Sequence, residues 1–117
     1  MTFRRLLVIA FWSAATFALV MASLPKPPQL PGEPGDKIQH IMAFATLAAL
    51  GAAAYPRTPL LRLLIGLAAF GALIEIIQLI PPLHRDAQLT DLLADVAAAA
   101  AILGLVRLLR MRRGAVN

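Results

Sequence analysis

Uncharged apolar runs alternate with short proline-punctuated polar stretches along the whole chain, and the alternation predicts four membrane helices. Residues 6–24 carry no charge, follow Arg4-Arg5 and stop at Pro25. At 1.5 Å per residue such a helix is about 29 Å long, close to one hydrocarbon core. A rival reading is a signal peptide, because Val20-Met21-Ala22 has the small-residue pattern of a cleavage site. The apolar run is longer than the h-region of most signals, so it reads as a retained first helix. Residues 25–35 then place five prolines and two glycines in eleven positions, which excludes helix and favours an extended loop.

Asp36 is placed to cap a second helix over about 37–55, its carboxylate accepting from the free amides of the first turn. After Lys37, Gln39 and His40 that helix turns alanine-rich and apolar, and Pro56 ends it. Residues 56–59, Pro-Arg-Thr-Pro, form a tight turn. A third helix spans about 60–80, and a polar loop follows from Pro81. A fourth runs over about 89–109, opening with Thr90, Asp91 and Asp95 and closing on Arg107, Arg110, Arg112 and Arg113. The Ala97 to Ala101 run, Gly66 and Gly71 read as packing surface, since small residues let helices approach closely in lipid.

Composition strengthens the membrane reading. In 117 residues the chain is 60% hydrophobic and 15% charged, with a mean hydropathy of +0.77. A soluble fold of that size lacks the interior to hide so much apolar surface. The expected class is an all-α membrane protein in a single domain over residues 1–117. Cysteine is absent, which excludes disulfides, a thiol nucleophile and thiolate metal ligands.

The net charge of +5 does not point to nucleic acid, because the basic residues sit at the ends of apolar segments. Arg4, Arg5, Arg57, Arg62, Arg107, Arg110, Arg112 and Arg113 share one set of helix ends; Lys26, Lys37 and Arg85 occupy the other. The positive-inside rule then puts both termini in the cytoplasm and the 25–35 and 81–88 loops outside. All six acidic residues lie on or toward that outer side: Glu33, Asp36, Glu75, Asp86, Asp91 and Asp95.

Those polar residues are the candidate chemistry. An ionisable group inside a bilayer is costly and marks a functional site by default. Glu75 and Gln78 share a face with Gly71 at i, i+4 and i+7. Asp36 and His40 are one turn apart at the start of the second helix, and Asp91 and Asp95 one turn apart at the start of the fourth. Chain order brings these faces to one depth, where lipid cannot solvate them, so they should face one another or a water-filled cavity.

Asp36-Lys37-x-x-His40, Glu75-x-x-Gln78 and Arg85-x5-Asp91-x3-Asp95, taken in order, resemble the VanZ-like family of small bacterial membrane proteins. The resemblance covers roughly residues 36–104. This chain has Asp95 where the family usually has Asn, and Ala98 where it usually has Gly. The resemblance implies a multi-pass protein of the bacterial inner membrane with a role in the cell envelope. It also implies a link to susceptibility to glycopeptide antibiotics of the teicoplanin type.

Each polar residue has a plain reading beside the chemical one. His40 is either an interfacial residue paired with Asp36, or a titrating acid/base or metal ligand with Asp36 orienting its ring. Glu75 either locks helix packing through Arg85 or Lys37, or carries a proton among the crowded carboxylates. Asp91 is either a helix cap or a catalytic acid. Arg85 is either a solvated partner of Asp86 or a bidentate clamp on a lipid phosphate or carboxylate.

His40, Glu75 and Asp91 are therefore the candidate catalytic residues. Asp36, Lys37, Gln78, Arg85 and Asp95 complete the candidate polar pocket. A divalent cation on Glu75, Asp91 and Asp95 would relieve their repulsion, but no recognised metal-ligand spacing is present, and neither a metal nor a cofactor is expected. The expected partners are the bilayer and a phospholipid or lipid-linked cell-wall precursor, bound, modified by a small hydrolase or transferase, or replaced by protons in a transport path. A purely structural subunit is the remaining class.

Overall fold

The structure, a computed structural model, describes residues 2–25, 36–83 and 89–116. Four helices account for nearly all of them: α1 (Phe3–Ser23), α2 (Asp36–Ala54), α3 (Leu60–Ile77) and α4 (Leu89–Val116). A single 3-10 turn, Pro81–Leu83, follows α3. All four helices are long and apolar enough to cross a membrane, so the chain is a multi-pass helical membrane protein. The exposed side chains agree with that setting. Ile9, Phe17, Met42, Ile65, Ile76 and Leu105 all point outward, a surface that suits lipid and would aggregate in water.

The helix ends differ from the sequence expectation in ways that local chemistry explains. α1 starts at Phe3, ahead of the uncharged run, because the Thr2 hydroxyl accepts from the Arg5 amide at 3.2 Å and caps it. α2 stops at Ala54, one residue short of Tyr55, and the Thr58 amide then donates to the Tyr55 carbonyl in the turn that follows. α3 ends at Ile77 with Gln78 as its C-cap, so the expected continuation to residue 80 is replaced by a terminal turn. α4 runs on past residue 109 to Val116. No proline interrupts it, and leucine, methionine and arginine all favour helix.

Packing centres on α2, which lies between α1 and α4, while α3 packs chiefly on α4. Leu47, Ala48, Ala52, Leu67, Ala99 and Leu103 make one buried cluster. Ala48 and Ala99 are wholly buried, the small side chains that allow close backbone approach without a hydrophobic driving force. The Ala97 to Ala101 run is not a packing surface as a whole. Only Ala99 is buried; Ala97, Ala100 and Ala101 are exposed, since a contiguous run winds round the helix. Gly66 also departs from expectation, because an added Cβ there meets nothing within 4 Å.

α1 is peripheral, with no buried residue, and is held by specific contacts. Phe11 covers Gly51, where a Cβ would come within 3.1 Å of its ring. The Trp12 indole donates to the Tyr55 hydroxyl at 2.7 Å. At the same end, Arg4 donates to the Ala54 carbonyl and Arg110 to the Ala52 carbonyl. Two cations thus satisfy the last carbonyls of α2, where the helix dipole favours positive charge.

Candidate functional site

At the opposite end, where α2 and α4 begin and α1 and α3 finish, the apolar core gives way to polar side chains. On α4 the buried positions recur every four residues: Asp91, Asp95, Ala99 and Leu103. One stripe is therefore acidic in its first two turns and apolar in the next two, so the packing that buries Ala99 also buries Asp95. On α2, His40 stands one turn before the buried Phe44 and two before Ala48. On α3, Gly71, Ile74 and Gln78 are buried and Glu75 is half-buried beside them.

The centre of the site is a hydrogen bond between helices. His40 Nδ1 lies 2.9 Å from Asp95 Oδ1, and the Asp95 side chain is 1% exposed. With the hydrogen on Nδ1, the imidazole donates and the carboxylate oxygen accepts. This partner stands on α4; the expected pairing with Asp36, one turn away on α2, falls on a side chain outside the described residues. Glu75 joins from α3: one ligand-type atom from each of His40, Glu75 and Asp95 lies within 4.8 Å of the others.

Gly71 makes room for this arrangement. A Cβ at that position would lie 3.1 Å from Leu92 Cδ1, 3.3 Å from Asp95 Oδ2 and 3.5 Å from Phe44 Cζ. α3 can thus approach α4 closely enough for Glu75, one turn further on, to reach the pair. The second carboxylate oxygen, Asp95 Oδ2, is buried and has no hydrogen-bond partner among the described residues. A buried acceptor left in that state is expensive.

Three residues of the predicted pocket stand apart from the centre. Asp91 pairs with Lys37, Nζ to Oδ1 at 3.7 Å, with the lysine half-exposed. Lys37, one expected partner of Glu75, is thus engaged by α4. Gln78 turns away: its side-chain amide donates to the Ala22 carbonyl at 3.3 Å, joining the end of α3 to α1. The Gln78 backbone keeps helical angles and its N–H still donates to the Ile74 carbonyl, so Gln78 stays on the buried face with Gly71 and Ile74 and it is the side chain that reaches to α1. Arg85 and the loop residues 26–35 and 84–88 lie outside the described residues, as does the side chain of Asp36.

Gly71 is the small residue expected on the Glu75 face, and Phe44 is the site residue that the polar pattern misses. Phe44, 2% exposed, forms the apolar floor one turn below His40 and contacts the Phe70 ring at a centroid distance of 5.9 Å. Its signal is the i+4 spacing from His40. Chemically, the assembly is an imidazole oriented by a buried carboxylate, with a second carboxylate in reach. That set can move a proton, accept a hydrogen-bonding head group or hold a cation. Comparison with protein-family models, with curated proteins and with solved structures gives no match.

Proposed function

We propose that this protein is a VanZ-like component of the bacterial inner membrane that binds a polar lipid head group or lipid-linked cell-wall precursor at the His40–Glu75–Asp95 site. Both termini are cytoplasmic in this reading, and the site opens toward the outer leaflet. The carrying observation is the His40–Asp95 hydrogen bond, part-buried among helices long and apolar enough to cross a membrane. A pair that served packing alone would be a poor investment, since buried ionic pairs rarely stabilise more than apolar side chains of similar volume. Lys37 and Asp91 at the mouth add one charge of each sign, and the head groups of lipids carry both. The orientation rests on the eight basic residues at the other helix ends. The envelope role and the link to glycopeptide susceptibility rest on the three-motif resemblance.

A catalytic version of the same reading is favoured by the geometry of His40. Its Nδ1 hydrogen is held by Asp95, which leaves Nε2 as the basic nitrogen of the neutral ring. His40 then acts as general base and Glu75 as the acid in hydrolysis or transfer at the head group. Purified protein incubated with labelled phospholipids and lipid-linked cell-wall precursors separates the two versions. Saturable binding lost in Glu75→Gln supports the binding protein, and turnover lost in His40→Ala supports the enzyme. Binding and turnover both absent from the wild type would sink the proposal.

A further inference from the structure

We infer that His40, Glu75 and Asp95 form a binding site for a divalent transition ion of the zinc class. The inference stands on the geometry of the three side chains and does not depend on a lipid being the ligand. One ligand-type atom from each residue lies within 4.8 Å of the other two. With the ring hydrogen moved to Nε2, so that Nδ1 offers its lone pair to the ion, the 2.9 Å separation of His40 Nδ1 and Asp95 Oδ1 fits two neighbouring ligands. Atoms about 2.1 Å from one ion with an angle near 90° lie about 3 Å apart. Glu75 then completes the set by moving inward by about an ångström, because tetrahedral ligands at that bond length stand about 3.4 Å apart. Glu75 is half-buried, and its long side chain can make that adjustment by rotation.

A second, independent observation points to a ligand. Asp95 is 1% exposed, and its Oδ2 is buried with no hydrogen-bond partner among the described residues. That oxygen lies 3.3 Å from where a Cβ on Gly71 would stand, one turn before Glu75 on α3. A cation there relieves the buried oxygen and balances two carboxylates with two positive charges, where lipid offers no counter-charge.

The donor set selects the kind of ion. An imidazole nitrogen with carboxylate oxygens suits zinc and its neighbours; magnesium and calcium favour oxygen alone. Cysteine is absent from the chain, so a soft thiolate site is excluded. Three protein ligands leave a fourth position open to water or to an oxygen of a bound molecule.

Equilibrium dialysis of the detergent-purified full chain against Zn2+ alone, read by elemental analysis, tests the site. One equivalent per chain is expected in the wild type and in the control Thr46→Ala. It should fall at least tenfold in affinity in each of His40→Ala, Glu75→Gln and Asp95→Asn. X-ray absorption of the zinc-loaded wild type gives a readout that needs no variant to fold: a nitrogen/oxygen shell containing one imidazole. No bound zinc, zinc undiminished in all three variants, or a shell without imidazole would each overturn the inference. Because only the metal is offered, its failure leaves the lipid reading intact, and failure of lipid binding leaves this one intact.

Discussion

Replacing Gly71 by alanine probes the close approach of α3 to α4 on which the site depends, and Gly66→Ala supplies the comparison. Both glycines lie in the same helix, and either substitution removes a residue about 0.8–1 kcal/mol less favourable to helix than alanine. Their surroundings differ. At Gly66 the new methyl meets nothing within 4 Å; at Gly71 it comes within 3.1 Å of Leu92 Cδ1 and 3.3 Å of Asp95 Oδ2. Leu92 can yield by rotating, but Asp95 is held by His40 and has nowhere to go. Overpacking of a buried site costs about 1–3 kcal/mol. The difference between the two variants cancels the propensity gain and isolates that cost. Gly71→Ala is therefore expected to be about 1–3 kcal/mol less stable than Gly66→Ala in unfolding by sodium dodecyl sulfate from mixed micelles, followed by circular dichroism. Equal stability of the two variants, to within about 0.5 kcal/mol, refutes the close packing of α3 on Asp95.

Two further outcomes follow from other parts of the molecule. Since the chain has no native cysteine, single cysteines report topology cleanly: Pro82→Cys is expected to react with a membrane-impermeant thiol reagent in spheroplasts, and Thr58→Cys only after lysis. The opposite pattern would invert the orientation and place the polar site on the cytoplasmic side. Trp12→Phe removes the 2.7 Å hydrogen bond to Tyr55 and is expected to cost about 0.6 kcal/mol, the average for such bonds between membrane helices. Tyr55→Phe should cost a similar amount and the double variant little more; fully additive losses would show that the two side chains do not meet.

The four helices are legible in the sequence because a bilayer writes a simple rule: uncharged runs of about twenty residues, ended by proline or by charge. Pro25, Pro56 and the Pro81-Pro82 pair punctuate the chain accordingly. The identity of the polar residues is legible for the same reason, since lipid makes every carboxylate conspicuous. Their pairing is not. In a soluble helix the polar face shows which side meets water, and so fixes the rotation of the apolar side. Here the lipid-facing and core-facing sides are both apolar, so the sequence leaves each helix free to rotate. The contact of His40 with Asp95, 55 positions away on α4, is accordingly not legible in the sequence, which offers only the near neighbour Asp36. Gly66 and Gly71 look alike in the sequence, yet one faces open space and the other the buried acid. Gln78 shares a helical face with Gly71 in the structure as on paper, but its side-chain amide reaches to the Ala22 carbonyl on α1.

At the centre of this account stands the contact between His40 on α2 and Asp95 on α4, and a double-mutant cycle measures it most directly. His40→Ala, Asp95→Ala and the double variant are unfolded under the same mixed-micelle conditions as the wild type. A hydrogen bond to a charged group contributes about 1.5–3 kcal/mol in water-soluble proteins, while bonds between membrane helices reach at most about 1.7 kcal/mol. The account predicts a coupling energy of about 1–2 kcal/mol, with the double variant less damaged than the sum of the single ones. Additivity to within about 0.5 kcal/mol would contradict it, because two side chains 2.9 Å apart cannot be removed independently.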